Sequence, residues 1–120
     1  MLKRMINTDK DFYNYMGRIF GSREVQRKTS DRIYDDNGKE WIMEIEKNIV
    51  VAVLSIKDST IKNVYAEDLD SLVKILEEVY SEVNKGIVTR EYKNEYVSAG
   101  YKIIEEKKNF LTIKGGKSIE

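Results

Sequence analysis

The sequence has no glycine between Gly38 and Gly86, an interval that contains three strand patterns followed by the longest helix pattern of the chain. A strand-to-helix junction that binds a phosphate normally contains glycine, because the backbone must approach the anion and direct its N–H groups towards it. Here the junction places Glu67, Asp68 and Asp70 where an anion would lie. The sequence therefore predicts a strand–helix unit whose junction is not a glycine-rich phosphate-binding loop.

The patterns inside this interval define its secondary structure. Apolar residues recur at helical spacing over residues 69–83, which predicts a long amphipathic helix. Alternation over residues 39–46 predicts a half-buried strand, and the nearly continuous apolar residues 49–56 predict a central strand covered on both faces. Residues 61–66 are predicted to form a third strand, so the interval predicts three strands leading into one helix.

Shorter patterns flank this unit. Thr8 and Asp11 are predicted to form a capping box, Ser22 is predicted to cap a second helix, and the Asp-Asp-Asn-Gly sequence at 35–38 predicts a turn. The remaining elements are predicted as a strand at 2–6, helices at 12–20 and 23–32, a strand at 87–89, a helix at 92–99 and a hairpin of 101–105 with 109–113. We expect a single domain over residues 1–114 and a frayed tail over residues 115–120.

Composition excludes several kinds of chemistry. The 120 residues include no cysteine and no histidine, so proton transfer would have to use carboxylates, lysine, tyrosine or water, and no metal site is expected. Lysine plus arginine and aspartate plus glutamate number 21 each, and this balance predicts no nucleic-acid partner. Neither a membrane span nor a signal peptide is predicted, so we expect a cytoplasmic protein. The many residues with AT-rich codons suggest a low-GC bacterium or its phage.

The order of the predicted elements resembles the fold of the GCN5-related N-acetyltransferases (GNAT). The local resemblance is best at residues 96–101, Tyr-Val-Ser-Ala-Gly-Tyr, which is similar to the family's tyrosine, three residues and a glycine–aromatic pair at the end of the last helix. The resemblance implies an α+β fold with a central, mostly antiparallel sheet of six or seven strands flanked by helices. It also implies that Tyr96 is the general acid that protonates the departing coenzyme A thiolate.

The other candidate site residues have competing interpretations. Glu44, in the middle of a predicted strand, is the best candidate for the family's base, and the alternative is that it lies on the solvent face of that strand. Arg23 and Arg27 lie one helical turn apart and are candidates for binding an anionic coenzyme, or they form part of a solvated helix face. Tyr65, the first residue of the stretch equivalent to the coenzyme loop, is the third candidate contact.

The resemblance is incomplete at the coenzyme site. Members of the family carry an Arg/Gln-x-x-Gly-x-Gly/Ala loop before the long helix, whereas residues 65–72 contain neither glycine nor arginine. We therefore predict a degenerate GNAT-fold protein without a cofactor, a non-catalytic binding or accessory module from a phage or mobile element. Its partner would be a small ligand or a host protein, and a homodimer is left open. The alternative is a divergent N-acetyltransferase that transfers an acyl group from acyl-CoA to an amine, with acetyl-CoA as cofactor.

Overall fold

The computed structural model describes residues 1–29 and 33–118. Within these residues the chain forms seven strands, four α-helices and two single turns of 3₁₀-helix, at Tyr80–Glu82 and Arg90–Tyr92. The strands and α-helices are, in chain order, β1 (Leu2–Met5), α1 (Phe12–Phe20), α2 (Arg23–Thr29), β2 (Glu40–Glu46), β3 (Ile49–Lys57), β4 (Thr60–Ala66), α3 (Leu69–Val79), β5 (Lys85–Thr89), α4 (Lys93–Ser98), β6 (Lys102–Glu106) and β7 (Phe110–Lys114).

The strands form one sheet in the order β1-β2-β3-β4-β5-β7-β6. All described pairs are antiparallel except β4 with β5, which run parallel and pair only at Thr60 with Lys85 and at Ile61 with Gly86. The pairing of β4 and β5 is therefore confined to the beginning of each strand. This mostly antiparallel sheet with flanking helices confirms the predicted α+β class.

Two hydrophobic clusters lie against the sheet, one beneath α3 and α4 and the other beneath α1 and α2. Strand β2 contributes to both clusters, because successive side chains of a strand point to opposite faces. Ile42 belongs to the α3 cluster, whereas Trp41, Met43 and Ile45 belong to the α1 cluster. The strands β2 to β4 are therefore covered on both faces, as the run of apolar residues in β3 predicted.

The glycine-free interval makes two tight hairpin turns with other residue types. Lys47 and Asn48 connect β2 to β3 with φ of 52° and 66°, and Asp58 and Ser59 connect β3 to β4 with φ of 53° and 60°. Positive φ at both central residues is the requirement of the two-residue turn that matches the twist of a hairpin. Asparagine and aspartate tolerate this conformation better than most residues, so these turns form without glycine.

Helix boundaries differ from the predictions where tertiary contacts decide them. Helix α3 ends at Val79 and continues as a 3₁₀ turn, so the prediction of one regular helix to residue 83 is wrong. The predicted capping box is also wrong: Asp11 makes no side-chain cap, and Asp9 Oδ2 instead accepts from Ile6 N at 2.8 Å. The Ser22 cap is confirmed, since its Oγ accepts from Val25 N. The predicted end of the second helix lies outside the described residues.

The segment after β7 is held by backbone hydrogen bonds. Gly115 N donates to Asn84 O at 3.0 Å, Gly116 N donates to Tyr80 O at 2.8 Å, and Lys117 N donates to Val83 O at 2.9 Å. The prediction that this segment frays is therefore wrong for residues 115–117. They form a short strap across the 3₁₀ turn that follows α3.

Candidate functional site

The junction between β4 and α3 uses its backbone N–H groups within the protein. Glu67 N and Asp68 N both donate to Val51 O, at 2.8 and 3.1 Å. Val51 lies at a register shift in β3, where Glu44 pairs with Ala52 and Ile45 already pairs with Val50. The register shift between β2 and β3 therefore coincides with the carbonyl of Val51, which accepts hydrogen bonds from both amides that follow β4.

Two amides in the first turn of α3 are capped by the chain's own carboxylate. Asp68 Oδ1 accepts from Asp70 N at 3.1 Å and from Ser71 N at 3.4 Å, and its Oδ2 accepts from Ser71 Oγ at 3.0 Å. Aspartate is among the best N-cap residues, and its negative charge also interacts favourably with the helix dipole. The positive end of α3 therefore already holds an anion that belongs to the protein.

Tyr92 connects the end of β4 to the segment that follows β5. This residue is 1% exposed, and its hydroxyl accepts from Ala66 N at 3.0 Å and donates to Ala66 O at 3.4 Å. Burial raises the pKa of the Tyr92 phenol to about 12, so the hydroxyl is neutral at physiological pH. The region where β4 and β5 no longer pair is thus bridged by a buried side chain.

Tyr96, the predicted general acid, lies in the hydrophobic cluster beneath α3 and is 0% exposed. Its ring packs at an angle against the ring of Tyr101, with the centroids 6.5 Å apart. Tyr101 OH in turn donates to Leu76 O at 2.7 Å, which ties this aromatic pair to α3. In this conformation Tyr96 presents no surface to a ligand, and its catalytic role stays a prediction.

Glu44, the predicted base, is 5% exposed, so it does not lie on the solvent face that the alternative interpretation gave it. Its Oε1 accepts from the Met1 amino group at 2.9 Å and from Lys74 Nζ of α3 at 3.2 Å. These two cations, the Met1 amine first, lower the pKa of the Glu44 carboxyl. Glu44 therefore acts here as the partner of two ammonium groups, and a lowered pKa weakens it as a base.

The structure places the three predicted coenzyme contacts in different surroundings. Tyr65 OH donates to Glu67 Oε1 at 3.1 Å, and the same oxygen accepts from Arg18 Nη1 at 3.0 Å. Burial, followed by the bond to Glu67, raises the pKa of Tyr65 to about 12. Arg23 and Arg27 are exposed on α2, where Arg23 lines a separate cavity of about 280 Å³.

A buried polar group on the other face of the sheet was missed by the sequence predictions. Lys39 is 5% exposed, and its Nζ donates to Tyr34 O and Asn63 Oδ1, both at 2.9 Å, and pairs with Asp36 Oδ1 at 3.2 Å. Ser55 Oγ also donates to Asn63 Oδ1, at 3.0 Å. The available signal was a serine between apolar residues of β3 and an asparagine in β4. Beside this group lies a cavity of about 570 Å³.

Neither a metal site nor a membrane-spanning helix is present in the part of the chain that the structure describes. No cluster of aspartate and glutamate in residues 1–29 and 33–118 is arranged to hold a metal ion. Among the helices of the same residues, none has both the length and the apolar character needed to cross a membrane. The β4–α3 junction, the buried tyrosines and the cavity beside Lys39 are therefore the candidate functional features of the described residues.

This arrangement of seven strands and four helices is a divergent GNAT-like acetyltransferase fold. The Campylobacter jejuni N-acetyltransferase PseH is similar in structure, with a TM-score of 0.54 and 12% sequence identity over 94% of each chain. The structure of PseH in complex with acetyl coenzyme A is similar at a TM-score of 0.51, with 13% identity over 94% of this chain and 96% of that chain. At such identities the similarity concerns the fold alone. No protein-family model and no curated protein sequence matches the chain.

Proposed function

We propose that this protein is a non-catalytic binding module built on the acetyltransferase scaffold. The observation that carries the proposal is the state of the junction between β4 and α3. Of the five amides from Glu67 to Ser71, four already have acceptors within the protein, those of Glu67, Asp68, Asp70 and Ser71. These are the groups on which the GNAT resemblance would place a coenzyme pyrophosphate.

A diphosphate at this position would meet opposing charge as well as occupied donors. It would have to displace the Asp68 carboxylate from the helix end while Glu67 and Asp70 remain nearby. Two like charges 4 Å apart repel by about 1 kcal/mol in water and by about 4 kcal/mol near a protein surface. Asp68 and Asp70 therefore oppose binding at the point where the family's loop would attract the anion, whereas the charge of Glu67 is paired with Arg18 at 3.0 Å.

The closed space between β4 and β5 supports the same proposal. A donor thioester that entered between these strands would have to displace the Tyr92 hydroxyl from Ala66. It would also have to reach Tyr96, which is fully buried. Both changes require rearrangement of the cluster beneath α3, and protein interiors resist such rearrangement because they are closely packed.

We also propose a partner, a location and an origin for the module. We place its partner among small ligands and host proteins, with a homodimer also open, and we expect it to act in the cytoplasm. The phage or mobile-element origin rests on residue composition alone. The proposal invokes no nucleic acid, no membrane and no cofactor.

Calorimetric titration with acetyl-CoA tests the loss of the coenzyme site. We expect no binding at the junction at ligand concentrations up to about 1 mM. Binding tighter than about 100 μM, a free energy beyond about −5.5 kcal/mol, would contradict the proposal if amide NMR shifts also changed at Glu67 to Ser71. Amide NMR shows where acetyl-CoA binds, because calorimetry alone would not distinguish the β4–α3 junction from another binding site.

A divergent N-acetyltransferase is the second candidate, and two observations favour it. The fold is shared with PseH, whose structure was also solved in complex with acetyl coenzyme A. Tyr96 also precedes Gly100 and Tyr101 as in the family's last helix. On this alternative Tyr96 protonates the leaving thiolate, Glu44 or a water takes the amine proton, and Arg23, Arg27 and Tyr65 contact a rearranged coenzyme.

The Tyr96→Phe variant tests this alternative, with Tyr101→Phe as a matched buried control. The assay is release of coenzyme A from acetyl-CoA in the presence of a panel of primary amines. An acyltransferase would lose turnover in Tyr96→Phe and keep it in Tyr101→Phe, although the latter loses its hydrogen bond to Leu76 O. A binding module releases no coenzyme A in either variant or in the original protein.

A further inference from the structure

We infer that the 570 Å³ cavity beside Lys39, here named the Lys39 cavity, binds a nucleotide-sized organic polyanion. Its lining includes Tyr34, Lys39, Lys57, Lys62, Lys85 and Ile87. The volume falls within the range of about 300–1,000 Å³ that is typical of small-molecule sites. The cavity borders the beginning of β4, whereas the β4–α3 junction follows its end. The inference therefore goes beyond the proposed function and holds whether or not the chain transfers acyl groups.

The floor of the Lys39 cavity is fixed before any ligand arrives. The buried Lys39 ammonium joins the loop that carries Tyr34 and Asp36 to Asn63 on β4, and Ser55 on β3 supports the same asparagine. A side chain with three such partners holds that loop in one position against the sheet. Preorganisation of this kind lowers the entropic cost of binding.

The charge of the cavity selects an anion. Its lining holds four lysines and two aspartates, which gives 4 − 2 = +2. The two aspartates are Asp36 and Asp58, and Asp36 is shared between Lys39 at 3.2 Å and Lys57 at 3.6 Å. Across the described residues, Lys62 and Lys85 have no carboxylate within ion-pair distance. These two ammonium groups are available to a ligand.

The sheet register adds further positive charge beside the cavity. Lys85 of β5 lies directly opposite Lys114 of β7, and Lys114 lies opposite Lys102 of β6. Like charges directly opposite each other on neighbouring strands destabilise a sheet. An anion bound next to Lys85 would offset this repulsion, so the row of lysines favours an occupied cavity over an empty one.

The apolar part of the lining indicates that the anion is an organic molecule. Ile87 is 65% exposed and Tyr34 is 53% exposed, which are high values for large apolar or aromatic side chains. The Lys39 ammonium lies 4.1 Å from the centroid of the Tyr34 ring and holds one side of it. A planar group of the ligand can pack on these side chains while its charged groups contact Lys62 and Lys85.

Amide NMR titration with ADP and with citrate tests the inference, and adenosine serves as the uncharged control. We expect ADP or citrate to shift the amides of Lys62, Lys85 and Ile87, and adenosine to shift none of them at equal concentration. A response to ADP alone assigns a phosphate ligand, whereas a response to citrate alone assigns a carboxylate ligand. Both responses support a polyanion site.

Two double variants make the test specific. Lys62→Ala/Lys85→Ala should weaken binding at least about tenfold, since each lost hydrogen bond to a charged group counts for more than a neutral one. Lys10→Ala/Lys108→Ala removes the same charge from exposed lysines outside the cavity and should change the affinity less than about twofold. Far-UV circular dichroism checks that both variants keep the fold.

Three results would overturn the inference. The first is the absence of amide shifts with either polyanion at about 5 mM, since small-molecule sites bind far more tightly than that. The second is equal weakening of binding in both double variants. The third is tighter binding of a hexaglutamate peptide than of either probe. Acetyl-CoA titrated into Lys62→Ala/Lys85→Ala separates this inference from the proposed function. If acetyl-CoA still binds this variant and changes the amide shifts of the β4–α3 junction, the result would contradict the proposed function without contradicting the cavity assignment.

Discussion

The strap formed by residues 115–117 gives a quantitative prediction at Gly115. A Cβ atom added there would lie 2.4 Å from Val83 O and 2.9 Å from Val83 Cβ, and Val83 is 0% exposed and has no room to move. Gly115→Ala should therefore detach the strap and break its three backbone hydrogen bonds. At about 1 kcal/mol for each bond, we expect a loss of about 2–4 kcal/mol from the free energy of unfolding.

Gly17→Ala in α1 is the matched control. An added Cβ at Gly17 meets nothing within 4 Å, and the residue lies inside a helix, where alanine is favoured over glycine by about 0.5–1 kcal/mol. Urea denaturation followed by the fluorescence of the buried Trp41 measures both variants. Hydrogen exchange at Lys117 N reports the strap directly. A Gly115→Ala variant within about 0.5 kcal/mol of the original protein, with Lys117 N still protected, would refute the argument.

Two further predictions concern the junction and the buried tyrosines. Asp68→Ala should lower the free energy of unfolding by about 1 kcal/mol because it removes the N-cap of α3. Asp68→Asn should retain most of the stability that the cap provides, because asparagine is also a good N-cap residue. Equal urea midpoints for the two variants would contradict this role of Asp68. Burial raises the pKa of Tyr65 and Tyr92 to about 12, above the value of about 10 expected in the unfolded chain. The neutral phenols therefore contribute stability that is fully present below about pH 10 and is lost between about pH 10 and 12. Urea midpoints measured from pH 9 to 11 should fall, and fall less in Tyr92→Phe; a flat profile would exclude this contribution.

The sequence predicted the strands well because their local patterns agree with the final sheet. Alternation in β2 and the continuous apolar run of β3 identified both strands, and each was observed within one residue of its predicted ends. No sequence rule singled out Lys47, between β2 and β3, or Ser59, between β3 and β4, for positive φ. Local periodicity is sufficient where burial and secondary structure impose the same pattern.

The candidate site was less predictable, because its properties depend on which elements cover it. Glu44 alternates with apolar neighbours as a solvent-facing residue would, yet α3 covers that face and supplies Lys74 as a partner. The match around Tyr96 gives no information about its burial, which results from the packing of α4 against α3. The end of α3 depends on Gly116, a residue distant in sequence that donates to Tyr80 O. Such long-range contacts have no signature in a short sequence window.

The position of β6 at one end of the sheet has a consequence for solubility. A terminal strand offers unpaired backbone groups on which a strand of another molecule can add, and this is a common start of aggregation. β6 carries Lys102, Glu105 and Glu106, and its register shifts between Ile103 and Glu105. Charged side chains and an irregular register both disfavour such addition. Addition of a strand from another copy of this protein to β6 is therefore disfavoured.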